Sequence, residues 1–194
     1  VSNEKAMHEL QANGFIRTRA WVPDGPFHDR FPLGAQVTRA ESTVAYAYTK
    51  GSFFAYEANQ LFRKGDWDTL LRGYGQCVRC MWSYSEKMQA RYGEPRNLYR
   101  GMPAEWEDFL NLYQVGDTFE WRSFTSTSTN KSVALSFARG EYSNDNQYQR
   151  RPVLFQIETS SRGAPLFQWS DYPCEDEVVL LPFQRFQVQA TDVQ

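Results

Sequence analysis

Apolar residues recur at spacings of three and four along the first half of the chain, and past Tyr92 they change to short alternating or continuous runs. The first pattern predicts helices over residues 37–50, Phe53–Lys64 and 67–91. The last of these carries a broad stripe of Leu70, Leu71, Tyr74, Cys77, Val78, Met81, Trp82 and Met88. Ahead of them, Pro23, Gly25, Pro26, Pro32 and Gly34 predict a loop. The second pattern predicts strands at residues 97–101, 118–125, 153–158, 177–181 and 183–193. The run Val178-Val179-Leu180-Leu181 does not alternate, which suits a strand covered on both faces. Two short helices interrupt the strands, at 105–113 and at 131–139 behind Asn130 as N-cap, and the polar stretch 143–151 reads as an exposed loop. The simplest architecture is an α+β fold: a single domain over residues 1–194, with a helical N-terminal lobe (1–92) packed on a mixed β-sandwich (93–194).

Composition narrows the chemistry. Hydrophobic residues at 41% and charged residues at 23% belong to an ordinary folded protein. The 14 Phe, 11 Tyr and 6 Trp are numerous enough that some rings should line a groove as well as a core. A net charge of −2 offers no field to attract nucleic acid, and no apolar run reaches the length of a membrane span. Cys77 and Cys80 form a C-x-x-C inside a predicted helix, without a second pair and with only His8 and His28 as partners, so they read as buried thiols and no metal is expected. Two histidines also leave little room for Ser-His or Cys-His hydrolysis.

Three features in the strand-rich half remain. In Leu98-Tyr99-Arg100-Gly101, Arg100 is either paired with a carboxylate or, with its planar guanidinium, holds a pyrophosphate in two-pronged fashion beside a backbone that Gly101 leaves open to close approach. Residues 123–132 hold four serines and three threonines; on a strand Ser126 and Ser128 face one way, either as an ordinary strand end or as hydroxyls for a ribose or a carboxylate. In Tyr172-Pro173-Cys174-Glu175-Asp176-Glu177, the two glutamates share a face if the chain is extended, and Glu177 opens the apolar run, which places its carboxylate at the mouth of the core. A carboxylate so placed can stabilise the cation that builds on a ribose as its N-glycosidic bond breaks.

In this order the three features resemble the Arg–Ser–Glu class of NAD-dependent mono-ADP-ribosyltransferases, which includes vertebrate ecto-enzymes and the iota- and C3-type toxins. That family shows an aromatic-Arg strand, a Ser-Thr-Ser strand end and an aromatic-x-x-(Glu/Gln)-x-Glu turn, here Tyr99-Arg100, Ser126-Thr127-Ser128 and Tyr172 to Glu177. Secondary matches extend the resemblance over residues 97–190, through Val133–Ala138, Val153-Leu154-Phe155 and Phe186-Gln187-Val188. It implies NAD as co-substrate, no metal, and an acceptor protein modified on arginine. Arg100 would hold the phosphates, the Gly101 backbone the nicotinamide amide, and Ser126 would order Glu177, which bonds the ribose. Ser128 and Phe137 would contribute to dinucleotide binding, Phe137 by stacking on nicotinamide. Glu175 would receive the acceptor, and Tyr172 would be the aromatic residue of the recognition turn. The same residues would serve an NAD glycohydrolase, and an inactive binding module could keep the fold; loss of Arg100, Ser126 or Glu177 would favour the latter, and all three are present.

Overall fold

The computed structural model describes residues 37–50, 53–92, 97–141, 150–158, 163–166 and 169–192. The predicted loop at Pro23–Gly34, His8, His28 and most of the loop at 143–151 lie outside the described residues. The chain divides into two compact units: Val1–Gly93 with Ala164–Pro173, and Glu94–Gly163 with Cys174–Gln194.

The first unit holds helices α1 (Arg39–Thr49), α2 (Phe53–Lys64) and α3 (Trp67–Tyr92). Thr38 begins α1 with a capping box: its hydroxyl accepts from Glu41 N–H at 3.3 Å, and the Glu41 carboxylate accepts from Thr38 N–H at 2.7 Å. The buried stripe of α3 is Leu70, Tyr74, Cys77, Met81, Tyr84 and Met88, each at most 3% exposed. Those steps of four and three keep one face inward. Leu71, expected in the stripe, is instead 66% exposed, since one position along the helix turns it away from that face. Cys77 and Cys80 are buried free thiols, as expected. The later segment Ala164–Pro173 joins this unit through Tyr84 OH, which donates to Pro165 O at 2.7 Å, and through a 2.8 Å ion pair between Lys50 and Asp171.

The second unit contains β1 (Asn97–Glu105), α4 (Trp106–Leu112), β2 (Thr118–Trp121), β3 (Thr125–Ser128), α5 (Lys131–Ala138), β4 (Arg150–Glu158), β6 (Glu177–Leu180) and β7 (Gln184–Gln187). The short β5 (Gly163–Pro165) lies where the chain passes to the other unit. Strands β4, β1, β3 and β6 lie side by side in that order, and β2 pairs with β7 in a second sheet. These pairings are antiparallel. Leu98, Ile157, Val178 and Leu180 of the larger sheet form a buried core, against which Trp121, Phe155 and Phe186 pack. The α+β class therefore stands.

Boundaries moved where local chemistry competes with pattern. The single strand expected at 118–125 is two strands in different sheets. Arg122-Ser123-Phe124 carries the chain from one to the other, with Thr125 Oγ1 donating to Ser123 O at 3.1 Å inside the bend. Arg150 and Arg151, expected in a loop, open β4 opposite Glu105 and Ala104; Arg150 pairs with Glu105 at 3.2 Å and Arg151 lies over the Trp106 ring. The last strand is only Gln184–Gln187, because beyond it few side chains find cover.

Candidate active site

Strand β1 pairs with β4 along its whole length, Asn97↔Glu158 to Glu105↔Arg150, but meets β3 at the single register pair Tyr99↔Ser128. Past that pair β1 and β3 part, so the sheet opens from within. Where strands part, backbone groups need other partners. The carbonyl of Ser126 finds one in Arg100, whose Nη1 donates to it at 2.7 Å. The Arg100 guanidinium also lies over the Trp121 ring, 5.7 Å from its centroid.

On the other side of β3 the register with β6 is Thr125↔Leu180 to Ser128↔Glu177. Glu177 is therefore in line with Ser128 and Tyr99 across three strands, with Ser126 its diagonal neighbour. The Ser126 hydroxyl hydrogen-bonds the Glu177 carboxylate. Ser126 thus touches Arg100 through its carbonyl and Glu177 through its side chain, and the three predicted residues meet through it. Glu177 is 8% exposed. Burial pushes its carboxyl up to about 7; the Ser126 hydrogen bond opposes the shift and the nearby charge of Glu175 adds to it.

The turn before Glu177 is not extended, as sharing a face with Glu175 would have required. Pro173–Glu175 forms a 3₁₀ turn, and Asp176 adopts a left-handed backbone with φ +46°. An aspartate tolerates that conformation better than most residues. The end of β3 holds the kink in place: Ser128 Oγ donates to Glu175 O at 2.6 Å and Thr129 N–H donates to Asp176 O at 3.2 Å. The Ser128 hydroxyl also accepts from Asn130 N–H at 2.9 Å. So Ser128, expected at the dinucleotide, is engaged in fixing the acidic turn. Glu175 itself is half-buried, and burial raises its carboxyl.

Asn130 caps α5 as expected, accepting from Ser132 N–H at 3.0 Å. That helix runs close under β1: a Cβ added to Gly101 would come within 1.6 Å of Ala134 O. The close approach that Gly101 permits is thus made first by the helix backbone. Phe137, on the same helix, is 39% exposed. Tyr172 is exposed and falls in the helical unit, whereas Glu175 and Glu177 fall in the strand-rich one.

A family model described as NAD:arginine ADP-ribosyltransferase matches residues 3–194. The chain belongs to that family. Among curated relatives, NAD(P)+–arginine ADP-ribosyltransferase 2 of Gallus gallus is 33% identical over 100 residues, 50% of this chain and 27% of the relative. NAD(P)+–arginine ADP-ribosyltransferase 1 of the same organism is 26% identical over 157 residues, 79% of this chain and 45% of the relative. The chain thus matches less than half the length of either. Among solved structures, the ADP-ribosyltransferase HopU1 of Pseudomonas syringae pv. Tomato matches with a TM-score of 0.70 at 18% identity, covering 100% of this chain and 83% of its own, a likeness of fold.

The structure brings Arg100, Ser126 and Glu177 together, and it adds a contact between Trp121 and Arg100 that the sequence pattern did not anticipate. A tryptophan in an aromatic-rich strand looks like any core residue. The only signal was its place just ahead of the serine-rich stretch, which pattern alone could not turn into a contact with Arg100.

Proposed function

We propose that this chain transfers a single ADP-ribose from NAD to an arginine side chain of an acceptor protein, releasing nicotinamide. The observation that carries the reading is Glu177: a buried carboxylate bonded by Ser126, beside a second carboxylate, and in register with Ser128, where β3 pairs with β1. In the proposed reaction the bond between nicotinamide and the ribose breaks, and nicotinamide leaves with the electron pair. The ionised Glu177 accepts a hydrogen bond from the ribose 2-hydroxyl and stabilises the oxocarbenium-like cation. A guanidinium nitrogen then bonds to that carbon while Glu175 orients it and takes its proton. Arg100 holds the phosphates and the Gly101 backbone the nicotinamide amide. Phe137 stacks on the nicotinamide ring, Ser126 orders Glu177 on the ribose side, Ser128 supports dinucleotide binding by fixing the turn that carries Glu175, and Tyr172 meets the acceptor. Family membership and the arginine named in both chicken relatives support this choice of acceptor.

The test is incubation with labelled NAD and arginine-rich acceptors, with nicotinamide release and label transfer scored separately. Transfer that tracks release is expected. Release without transfer would make the chain an NAD glycohydrolase, and neither would make it an inactive module of the same fold.

A further inference from the structure

We infer that Trp121 is a positioning residue for dinucleotide binding, acting through Arg100. This rests on the reading of Arg100 as the residue that holds the NAD phosphates. By strand alternation Arg100 leaves β1 on the same side as Leu98, a core residue, and not on the side of Tyr99, which is in line with Ser128 and Glu177. Its cross-strand partner is Phe155, itself packed on the core. A long, rotamer-rich cation starting from that direction has to be turned toward the parting between β1 and β3. The Ser126 carbonyl at 2.7 Å and the Trp121 ring at 5.7 Å both draw it there.

The ring is a fixed platform. The Trp121 carbonyl accepts from Phe183 N–H at 2.8 Å, and the residue is paired with Gln184 in the second sheet. Its ring is wedged against Phe119, Phe155 and Phe186 at centroid distances of 5.5, 5.4 and 4.9 Å. A guanidinium held over an aromatic face by cation–π attraction is limited to directing its N–H donors outward in its own plane. That is the geometry a two-pronged phosphate contact needs. Tryptophan has the strongest such face, whereas leucine would fill the space without offering one. The cost of ordering Arg100 is thus met before the dinucleotide arrives, which favours affinity over turnover.

The experiment measures the Kd for NAD by calorimetry, with melting curves as a check on folding, for Trp121→Phe, Trp121→Leu, Arg100→Ala and the Arg100→Ala/Trp121→Leu pair. Expected is a rise in Kd of about tenfold for Trp121→Leu and about threefold for Trp121→Phe, with no further rise when Trp121→Leu is added to Arg100→Ala. An equal rise in both backgrounds would show that the ring acts independently of Arg100 and would overturn the inference. Unchanged affinity in Trp121→Leu, with weakened affinity in Arg100→Ala, would overturn it while leaving the Arg100 reading intact. If Arg100→Ala binds as tightly as the unmodified chain, or the unmodified chain does not bind NAD, the Arg100 reading fails and this inference with it. Should Trp121→Leu not fold, a Trp121→Phe variant with unchanged Kd overturns the inference.

Discussion

Among the described residues each unit buries one glutamate, and the two are held on opposite terms. Glu41 in the helical unit is 5% exposed and Glu177 in the strand-rich unit 8%. Burial alone would raise both carboxyls. Around Glu41 it is outweighed: Lys87 Nζ lies 2.8 and 2.7 Å from its two oxygens, Ser83 Oγ donates at 2.6 Å, and Thr38 N–H donates at 2.7 Å, so the group ends below the usual carboxylate range. Around Glu177 a single hydroxyl opposes burial and a second carboxylate reinforces it, so the group ends near 7. Packing needs explain Glu41, a charge buried with its partners. They do not explain Glu177, whose charge is set against one hydroxyl and a second carboxylate. A cation developing on a bound ribose would compensate that charge.

The sharpest test of that contrast is removal of the Glu177 charge at nearly constant volume. Glu177→Gln should retain NAD binding and lose turnover by about 3 kcal/mol or more in barrier, a rate loss of at least about a hundredfold. Single-turnover nicotinamide release at the unmodified rate would remove Glu177 from the chemistry. Glu175→Gln comes next. Arginine transfer should fall by about a hundredfold, the scale of a lost general base, while nicotinamide release persists. Because Glu175 contributes to the raised Glu177 carboxyl, its replacement should also move the acid limb of the release profile to lower pH. Equal losses of release and transfer would mean that Glu175 shapes the site without selecting the acceptor.

How much of this contrast was legible beforehand follows from how local each signal is. The Glu177 environment was readable because a carboxylate abutting four consecutive apolar residues has to sit at the edge of a core. The helices were readable from spacing, and the Asn130 cap from its own side chain. The pairing of Glu41 with Lys87 joins residues 46 apart on two helices, and the return of Ala164–Pro173 to the helical unit spans 81 residues at the Tyr84–Pro165 bond. Neither leaves a periodic trace. The same holds for Ser128, whose face on the strand was foreseen while its partner, the Glu175 carbonyl, depended on a left-handed Asp176 that no pattern encodes. The parting of β1 from β3 is a property of pairing between strands, and single-strand patterns carry no information about it.

A smaller effect is expected at the compensated glutamate. Glu41→Gln keeps one oxygen to accept from Thr38 N–H, while the Ser83 hydroxyl can turn to accept from the new amide, but the partly buried Lys87 ammonium loses its counter-charge. The expected loss is about 1–2 kcal/mol of stability, discounted because Lys87 retains 28% side-chain exposure. Urea titration at neutral pH reads this directly. A variant as stable as the unmodified chain would show that the pair is a surface-like contact and that the contrast with Glu177 is one of burial only.

The smallest effect has the most distinctive signature, because it should run against activity. The Glu177 carboxyl is raised from an ordinary 4.5 to about 7 in the folded chain. Between those values the folded state holds a proton that the unfolded state has lost, so stability falls as pH rises through this window and stays lower above it. Below about 4.5 both states are protonated and the contribution is fully present. A shift of this size corresponds to ~3 kcal/mol as an upper limit, and local relaxation around the ionised group reduces it to on the order of 1 kcal/mol. Glu177→Gln, which cannot ionise, should therefore match the unmodified chain in acid and exceed it by ~2–4 °C in melting temperature above pH 7. Over the same window kcat/KM for nicotinamide release should rise, since the reaction uses the ionised carboxylate and kcat/KM reports the free enzyme's titration. Stability and activity would then cross near one pH with opposite slopes. A melting difference that is constant from pH 4 to 9 would show that Glu177 does not titrate in this range, and the electrostatic contrast between the two glutamates would fall with it.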